Sequence, residues 1–360
     1  MKTYGVIMAG GGGTRFWPLS RRELPKQFLN LTGNDILVNE TFDRLNKVAE
    51  REDIFVVTNA AHAAQTLDMM RGRVGKAQVL AEPAARNTAA CIGYAAMEIL
   101  KKYGDGIMCV MPSDHYVERE DLYVDTVRRG VFLAEEKDCL VTIGITPTYP
   151  ATGYGYIRSH AVRNEDGSPA DYRMVEEFVE KPAEETAQAY LESGNFSWNS
   201  GMFIWKASLI LDYFKRLLPD IYECLERIGE ARGTDREEQV LEEIYPYIPK
   251  ISIDYGILER ADRIIMLEGS FGWNDIGSLD ALELLHEQDE RGNTPVGESV
   301  LVDTEGTICY AKDKLVVAAY VRDLMIVESG DAVLVCPREK AQDVKKIVEL
   351  LEKENRDIYL

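Results

Sequence analysis

Five short apolar runs, separated by helical stretches, restrict the first half of this chain more than any other feature. They are "YGVIMA" (4–9), "IFVVTN" (54–59), "AQVLAE" (77–82), "GIMCVMP" (106–112) and "CLVTIGI" (139–145). Strands that are apolar on both sides need cover on both faces, and intervening helices supply it, which predicts a mostly parallel sheet. One such helix is "ACIGYAAMEILKKYG", with Ile92, Ala95, Ala96 and Ile99 at helical spacing and Gly104 as its stop. The fold class is therefore α/β, a Rossmann-like sheet covered by helices. In such sheets ligands bind beyond the carboxyl ends of the strands, so the residues after each run carry the functional reading.

A second helical block, "SLILDYFKRLLPDIYECLERI", places Ile210, Phe214, Leu217 and Leu218 on one face. After about residue 280 the pattern becomes a train of short strands, with turns at Glu305-Gly306, Lys312-Asp313 and Gly330-Asp331. A last helix follows, with Val344, Ile347, Val348 and Leu351 on one side. This predicts two domains, 1–280 and 281–360, the second a small β domain with a terminal helix.

Asp and Glu number 61 against 41 Lys and Arg, a net charge of −20. Such a surface repels polyanions, which argues against nucleic acid and anionic membranes as partners. Any anion has to be held by a local pocket. The six cysteines show no C-x-x-C spacing and read as free thiols of a reducing compartment. With no apolar run of signal-peptide or membrane-spanning length, the chain is expected to be cytoplasmic.

The pocket is foreshadowed by "AGGGGTRFWPLSRRELPKQF". Gly10, Gly11, Gly12 and Gly13 follow an apolar strand, and a glycine turn lets backbone N–H groups converge on an anion. It is not a P-loop, because Thr14 and Arg15 stand where Lys and Ser/Thr are needed. It is not the dinucleotide fingerprint either, since its third glycine position is Arg15. What remains is an anion-seeking turn with Arg15 and Lys26 beyond it. Either this is a triphosphate clamp or it is a tight turn with two surface cations.

Two aspartates suit a metal. Asp114 in "MPSDH" follows a strand, where a capping role for the next helix is the alternative. Asp275 lies in the glycine-flanked "GWNDIGS". One or two carboxylates plus phosphate oxygens are what Mg²⁺ prefers. Glu82 in "EPAARNTA" ends a strand and could accept the paired N–H donors of guanine, with Asn87 nearby; the alternative is an acid merely ending a strand before Pro83.

The full string G-G-x-G-T-R-x-x-P-L-S-x(5)-K-Q resembles the signature of the nucleoside-diphosphate-sugar pyrophosphorylases. With Trp17 and "EPAARNTA" it is similar to their mannose-1-phosphate guanylyltransferase branch. "PSDH" (112–115), "FVEKP" (178–182), "WNSGMF" (198–203), "SIDYGILE" (252–259) and "GWNDIGS" (272–278) follow in that family's order. Gly256, Glu259 and Leu279 depart from its pattern.

The resemblance implies a small C-terminal β-helix-like domain that can serve in homodimer contacts, and Asp114 and Asp275 as Mg²⁺ ligands. It also implies Lys181 as the holder of the sugar phosphate, Glu180 and Asn199 as readers of sugar hydroxyls, and Gly153 as a backbone contact to the hexose. The nucleotide falls to Gly10–Gly13, Thr14, Glu82 and Asn87. The implied reaction is GTP plus mannose 1-phosphate giving GDP-mannose and pyrophosphate. A sugar phosphate is already largely dianionic at pH 7, so direct in-line attack needs no side-chain base. Arg15 and Lys26 would stabilise the leaving pyrophosphate. Another sugar 1-phosphate or nucleotide, or a non-catalytic sensor of nucleotide sugars, stays open. The stretch after Ser278 is too short for the isomerase domain fused to some relatives, so a monofunctional enzyme is expected.

Overall fold

The computed structural model describes residues 1–360. The chain forms two compact units. One comprises Met1–Gly10, Thr41–Ser113 and Val117–Trp273, the other Gly11–Glu40, Asp114–Tyr116 and Asn274–Leu360.

The first unit is built on nine strands: β1 (Thr3–Ala9), β2 (Ile54–Asn59), β3 (Val79–Glu82), β4 (Ile107–Pro112), β5 (Leu140–Ile145), β6 (Tyr156–Arg163), β7 (Pro169–Val179), β8 (Phe196–Lys206) and β9 (Ile264–Gly269). Their order across the sheet is β3-β2-β1-β4-β8-β5-β9-β7-β6. The β3-β2-β1-β4 half is parallel, as is the β5–β9 pair. Each of the five apolar runs matches a strand to within two residues. What their pattern does not reveal is β8, which runs antiparallel between β4 and β5 and makes the sheet mixed.

The helix Asn87–Lys102 buries Ile92, Ala95, Ala96 and Ile99 completely, and its neighbour Gly104 adopts φ +89. At Gly93 an added Cβ would stand 2.4 Å from Leu225, so the missing side chain sets how closely the helix Pro219–Glu230 approaches. The predicted single block from 208 to 228 is two helices, Ala207–Leu217 and Pro219–Glu230. Pro219 lacks the N–H that would continue the first helix and is pre-set for the first turn of the second. Phe214, Ile210 and Leu225 are fully buried, each worth about 2 kcal/mol of burial.

The second unit carries β10 (Thr294–Val302), β11 (Ile308–Ala319), β12 (Leu324–Ser329) and β13 (Ala332–Pro337). The first three stack in parallel and β13 closes antiparallel. Short parallel strands joined by tight turns are the coils of a β-helix. The expected turn at Lys312-Asp313 is instead part of β11. There the Glu328 carboxylate accepts the backbone N–H of Asp313 at 2.8 Å and of Lys314 at 3.0 Å, so the bend is satisfied without ending the strand.

The terminal helix Val344–Lys353 packs Val344 and Val348 into one core with Phe16, Trp17, Leu19 and Leu29. Trp17 Nε1 donates to the Tyr359 carbonyl at 2.7 Å, and Arg22 pairs with Glu352 at 2.9 Å. By packing, therefore, the segment after the glycines goes with the C-terminal strands, although it lies at the other end of the chain. No helix is long and apolar enough to cross a membrane, and all six cysteines are free thiols.

Candidate active site

Within the second unit, the glycine loop closes one wall of an open cleft of about 370 Å³. Gly13 adopts φ 59, and a Cβ there would meet Lys26 Cβ at 2.4 Å and Lys26 N at 3.0 Å. Only glycine permits both that conformation and that approach. Ser20 Oγ donates to the Gly13 carbonyl at 2.7 Å and steadies the turn. Gly11 adopts φ 144, and Gly11 and Gly12 are exposed.

Lys26 sits in the short helix Lys26–Phe28 and is 6% exposed. Its ammonium lies 2.9 Å from Asp114 Oδ2 and donates to the Asp275 backbone carbonyl at 2.7 Å. The Phe16 ring stands 5.4 Å away as a third contact. Burial by itself would raise the Asp114 pKa, yet the Lys26 ammonium, helped by His115, holds that carboxyl below its ordinary value. Asp114 is thus ionised at neutral pH. Gly277 leaves space beside the Asp275 carboxylate, where an added Cβ would stand 3.2 Å from an oxygen. Arg15 and Thr14 line the same cleft, and Arg15 is exposed. Residues predicted from three separate motifs, Gly13, Thr14, Arg15, Lys26, Asp114 and Asp275, surround one volume.

A second cluster lies in the first unit. The Lys181 ammonium pairs with Glu180. Asn199 lies in the first half of β8 and makes three hydrogen bonds within the protein. Its backbone N–H donates to the Gly155 carbonyl at 2.8 Å, its Nδ2 to Asp254 Oδ1 at 2.8 Å, and its Oδ1 accepts from Gly201 N at 3.1 Å. Asp254 therefore fixes which way the amide faces. Burial first, and then the charge of Glu180, push the Asp254 carboxyl up to about 6. At Gly153 nothing stands within 4 Å of an added Cβ, whereas at Gly155 that atom would fall 2.6 Å from Glu180 Oε2. The glycine that makes the close approach in this cluster is Gly155. Trp198 is buried, edge-on to Tyr149 and Tyr154.

Glu82, at the end of β3, is buried and accepts a hydrogen bond from the Tyr245 hydroxyl. Burial raises its pKa, and the Tyr245 bond opposes that. Its Oε2 faces Gly10, where an added Cβ would stand 3.8 Å away. Asn87 is exposed at φ 66, and its own Oδ1 accepts from Thr88 N at 2.8 Å.

Sequence reasoning missed Gly155, Asp254, Tyr245 and Lys345, which also lines the first cleft. Gly155 stands two residues after Gly153, and Asp254 is the only acid of "SIDYG". For Tyr245 and Lys345 no local signal exists.

An α/β unit, a β-helix unit, and a glycine loop over a buried lysine that contacts two aspartates define a class. The chain matches the nucleotidyl transferase family model over residues 4–292 and belongs to that family. Residues 297–351 match the MannoseP isomerase/GMP-like beta-helix domain. Among curated proteins, the chain is 39% identical over 362 residues to the mannose-1-phosphate guanylyltransferase ManC of Salmonella typhimurium, covering 99% of this chain and 74% of that one. It is 39% identical over 360 residues to the mannose-1-phosphate guanylyltransferase of Escherichia coli K12, with the same coverage, 99% and 74%. A solved structure described as mannose-1-phosphate geranyltransferase from Thermus thermophilus is 36% identical. It superposes with a TM-score of 0.87 over 98% of this chain and 100% of that one.

Proposed function

We propose that this protein transfers GMP from GTP to α-D-mannose 1-phosphate, giving GDP-mannose and pyrophosphate. The observation that carries the reading is the Lys26 ammonium joined to Asp114 and to the Asp275 backbone beneath a glycine loop. The names of its relatives support the substrates.

Asp114 and Asp275 fit a divalent cation. Both line the same cleft, and Asp114 is held ionised. Hard carboxylate oxygens completed by phosphate oxygens are the donor set of Mg²⁺, which when bound would neutralise phosphate charge. The protein's own groups do the rest. The Gly13 turn and Thr14 cradle the triphosphate, while Arg15 and Lys26 take up charge that develops on the departing pyrophosphate. Lys181 holds the attacking phosphate, and Glu180 and Asn199 orient the hexose. No general base is required, because the nucleophile is already an anion. Glu82 accepts the N–H edge of guanine with the oxygen not taken by Tyr245. Six free thiols support a reducing, cytoplasmic setting.

The test is pyrophosphate release over a panel of nucleoside triphosphates and sugar 1-phosphates, with and without Mg²⁺. The reading expects GTP with mannose 1-phosphate to be turned over fastest and chelation to stop the reaction. Preference for another pair would change the substrates. Binding of GDP-mannose without turnover of any pair would make the protein a sensor.

A further inference from the structure

The cleft that holds Arg15 and Lys26 has a third cation, Lys345, which comes from the terminal helix. We propose that Lys345 binds the β- and γ-phosphates of the nucleotide, and so the leaving pyrophosphate, as a residue that the C-terminal β domain contributes to the reaction. This rests on the nucleotidyl-transfer reading above and extends it.

Charge in the cleft gives the first argument. Lys26 is committed to Asp114 at 2.9 Å, so its charge is largely offset before any ligand arrives. On the glycine-loop side that leaves Arg15. A departing pyrophosphate carries several negative charges, and Arg15, Lys26 and a bound Mg²⁺ set against Asp114 and Asp275 leave a formal surplus of only about two positive charges. Lys345 supplies further positive charge to the same cleft from the terminal helix.

Its placement on the helix gives the second. Lys345 is the second residue of Val344–Lys353, in the first turn, where the helix dipole disfavours cations. Lys346 stands in the same turn, but there Asp343 compensates at 2.7 Å. Lys345 has only Glu349, at 3.6 Å, with both side chains more than half exposed. Such a pair is worth little and is readily given up. A lysine held at the unfavourable end of a helix with so weak a partner is placed to meet an anion, and the helix N-terminus adds to the same positive field.

The helix is also held firmly enough to aim it. Val344 and Val348 are buried against Phe16 and Trp17, the residues that follow Arg15. Arg22 reaches Glu352 and Asp357 from the same segment. The position of Lys345 is thus tied to the glycine loop itself.

The experiment uses the full chain as wild type, Lys345→Ala, Lys345→Arg and Lys346→Ala. It measures KM for GTP, pyrophosphate and mannose 1-phosphate in both directions of the reaction. It also measures the Kd of inorganic pyrophosphate by calorimetry in Mg²⁺. Loss of one charge-assisted contact should raise KM for GTP, and both KM and Kd for pyrophosphate, about tenfold in Lys345→Ala. KM for mannose 1-phosphate should not move. Lys345→Arg should recover most of the loss, and Lys346→Ala should match wild type. Pyrophosphate binding by Lys345→Ala equal to that of wild type overturns the proposal, as does no binding by wild type. If wild type binds pyrophosphate through Lys345 but makes none from GTP and mannose 1-phosphate, the anion site stands and the proposed reaction fails.

Discussion

The Lys26 ammonium lies 2.9 Å from the Asp114 carboxylate, and that pair anchors the cleft beneath the glycine loop. Two residues far apart in sequence become mutually dependent. Without Lys26, burial would drive the Asp114 carboxyl towards its neutral form. Without Asp114, a lysine only 6% exposed would lose its ion-pair partner.

Lys26→Ala should therefore reduce kcat by roughly 10²–10³-fold, the range for loss of a preorganised charge. Lys26→Arg should not restore it, because a planar guanidinium cannot reproduce both the Asp114 and Asp275 contacts of a compact ammonium. Steady-state kinetics measure this, with circular dichroism melts to confirm that the variants fold. Near-normal turnover of Lys26→Ala would remove the residue from the reaction.

The glycines of the loop are not equivalent. Gly13→Ala forces a Cβ against the Lys26 backbone and side chain at a positive φ, so it should cost about 1–3 kcal/mol of stability and most activity. Gly12→Ala meets nothing nearer than 3.8 Å and carries no positive φ, and its melting temperature should stay close to that of wild type. Equal effects of the two would contradict this geometry of the turn.

A similar contrast applies to the other cluster. Gly155→Ala places a methyl 2.6 Å from Glu180 Oε2 and 3.5 Å from Asn199 Cβ. It should raise KM for mannose 1-phosphate several-fold or more while leaving KM for GTP unchanged. Gly153→Ala finds open space and should leave KM for the sugar phosphate unaltered. Kinetics that rank the pair the other way would return the sugar contact to Gly153.

Asp254 predicts a pH dependence. Its carboxyl is raised to about 6 by burial and then by Glu180, above an ordinary unfolded value of about 4. The folded state thus holds a proton that the unfolded state has lost. The associated stability is fully present below about pH 4, declines as pH rises, and is gone once pH passes about 6. Asp254→Asn keeps an acceptor for Asn199 and removes the titration, so its stability should be flatter than wild type across about pH 4–6. Chemical denaturation at several pH values measures this. Parallel wild-type and Asp254→Asn curves would show that Asp254 does not titrate in that window.

How the chain divides between legible and hidden follows from the range of the forces involved. Strands β1 to β5, the helix over Asn87–Lys102 and the glycine turn are visible because period, apolar content and backbone freedom are local properties. Motif residues such as Arg15, Lys26, Asp114 and Asp275 could be named from their strings, since each string carries its own chemistry. The fold also holds what no string contains. Insertion of β8 between β4 and β5, Tyr245 on Glu82, Asp254 on Asn199 and Gly155 under Glu180 depend on segments meeting across long loops. Lys345 in sequence is one more lysine on an amphipathic helix. It reaches the cleft because Val344 and Val348 bury themselves against Phe16 and Trp17, and burial of apolar surface is blind to sequence distance.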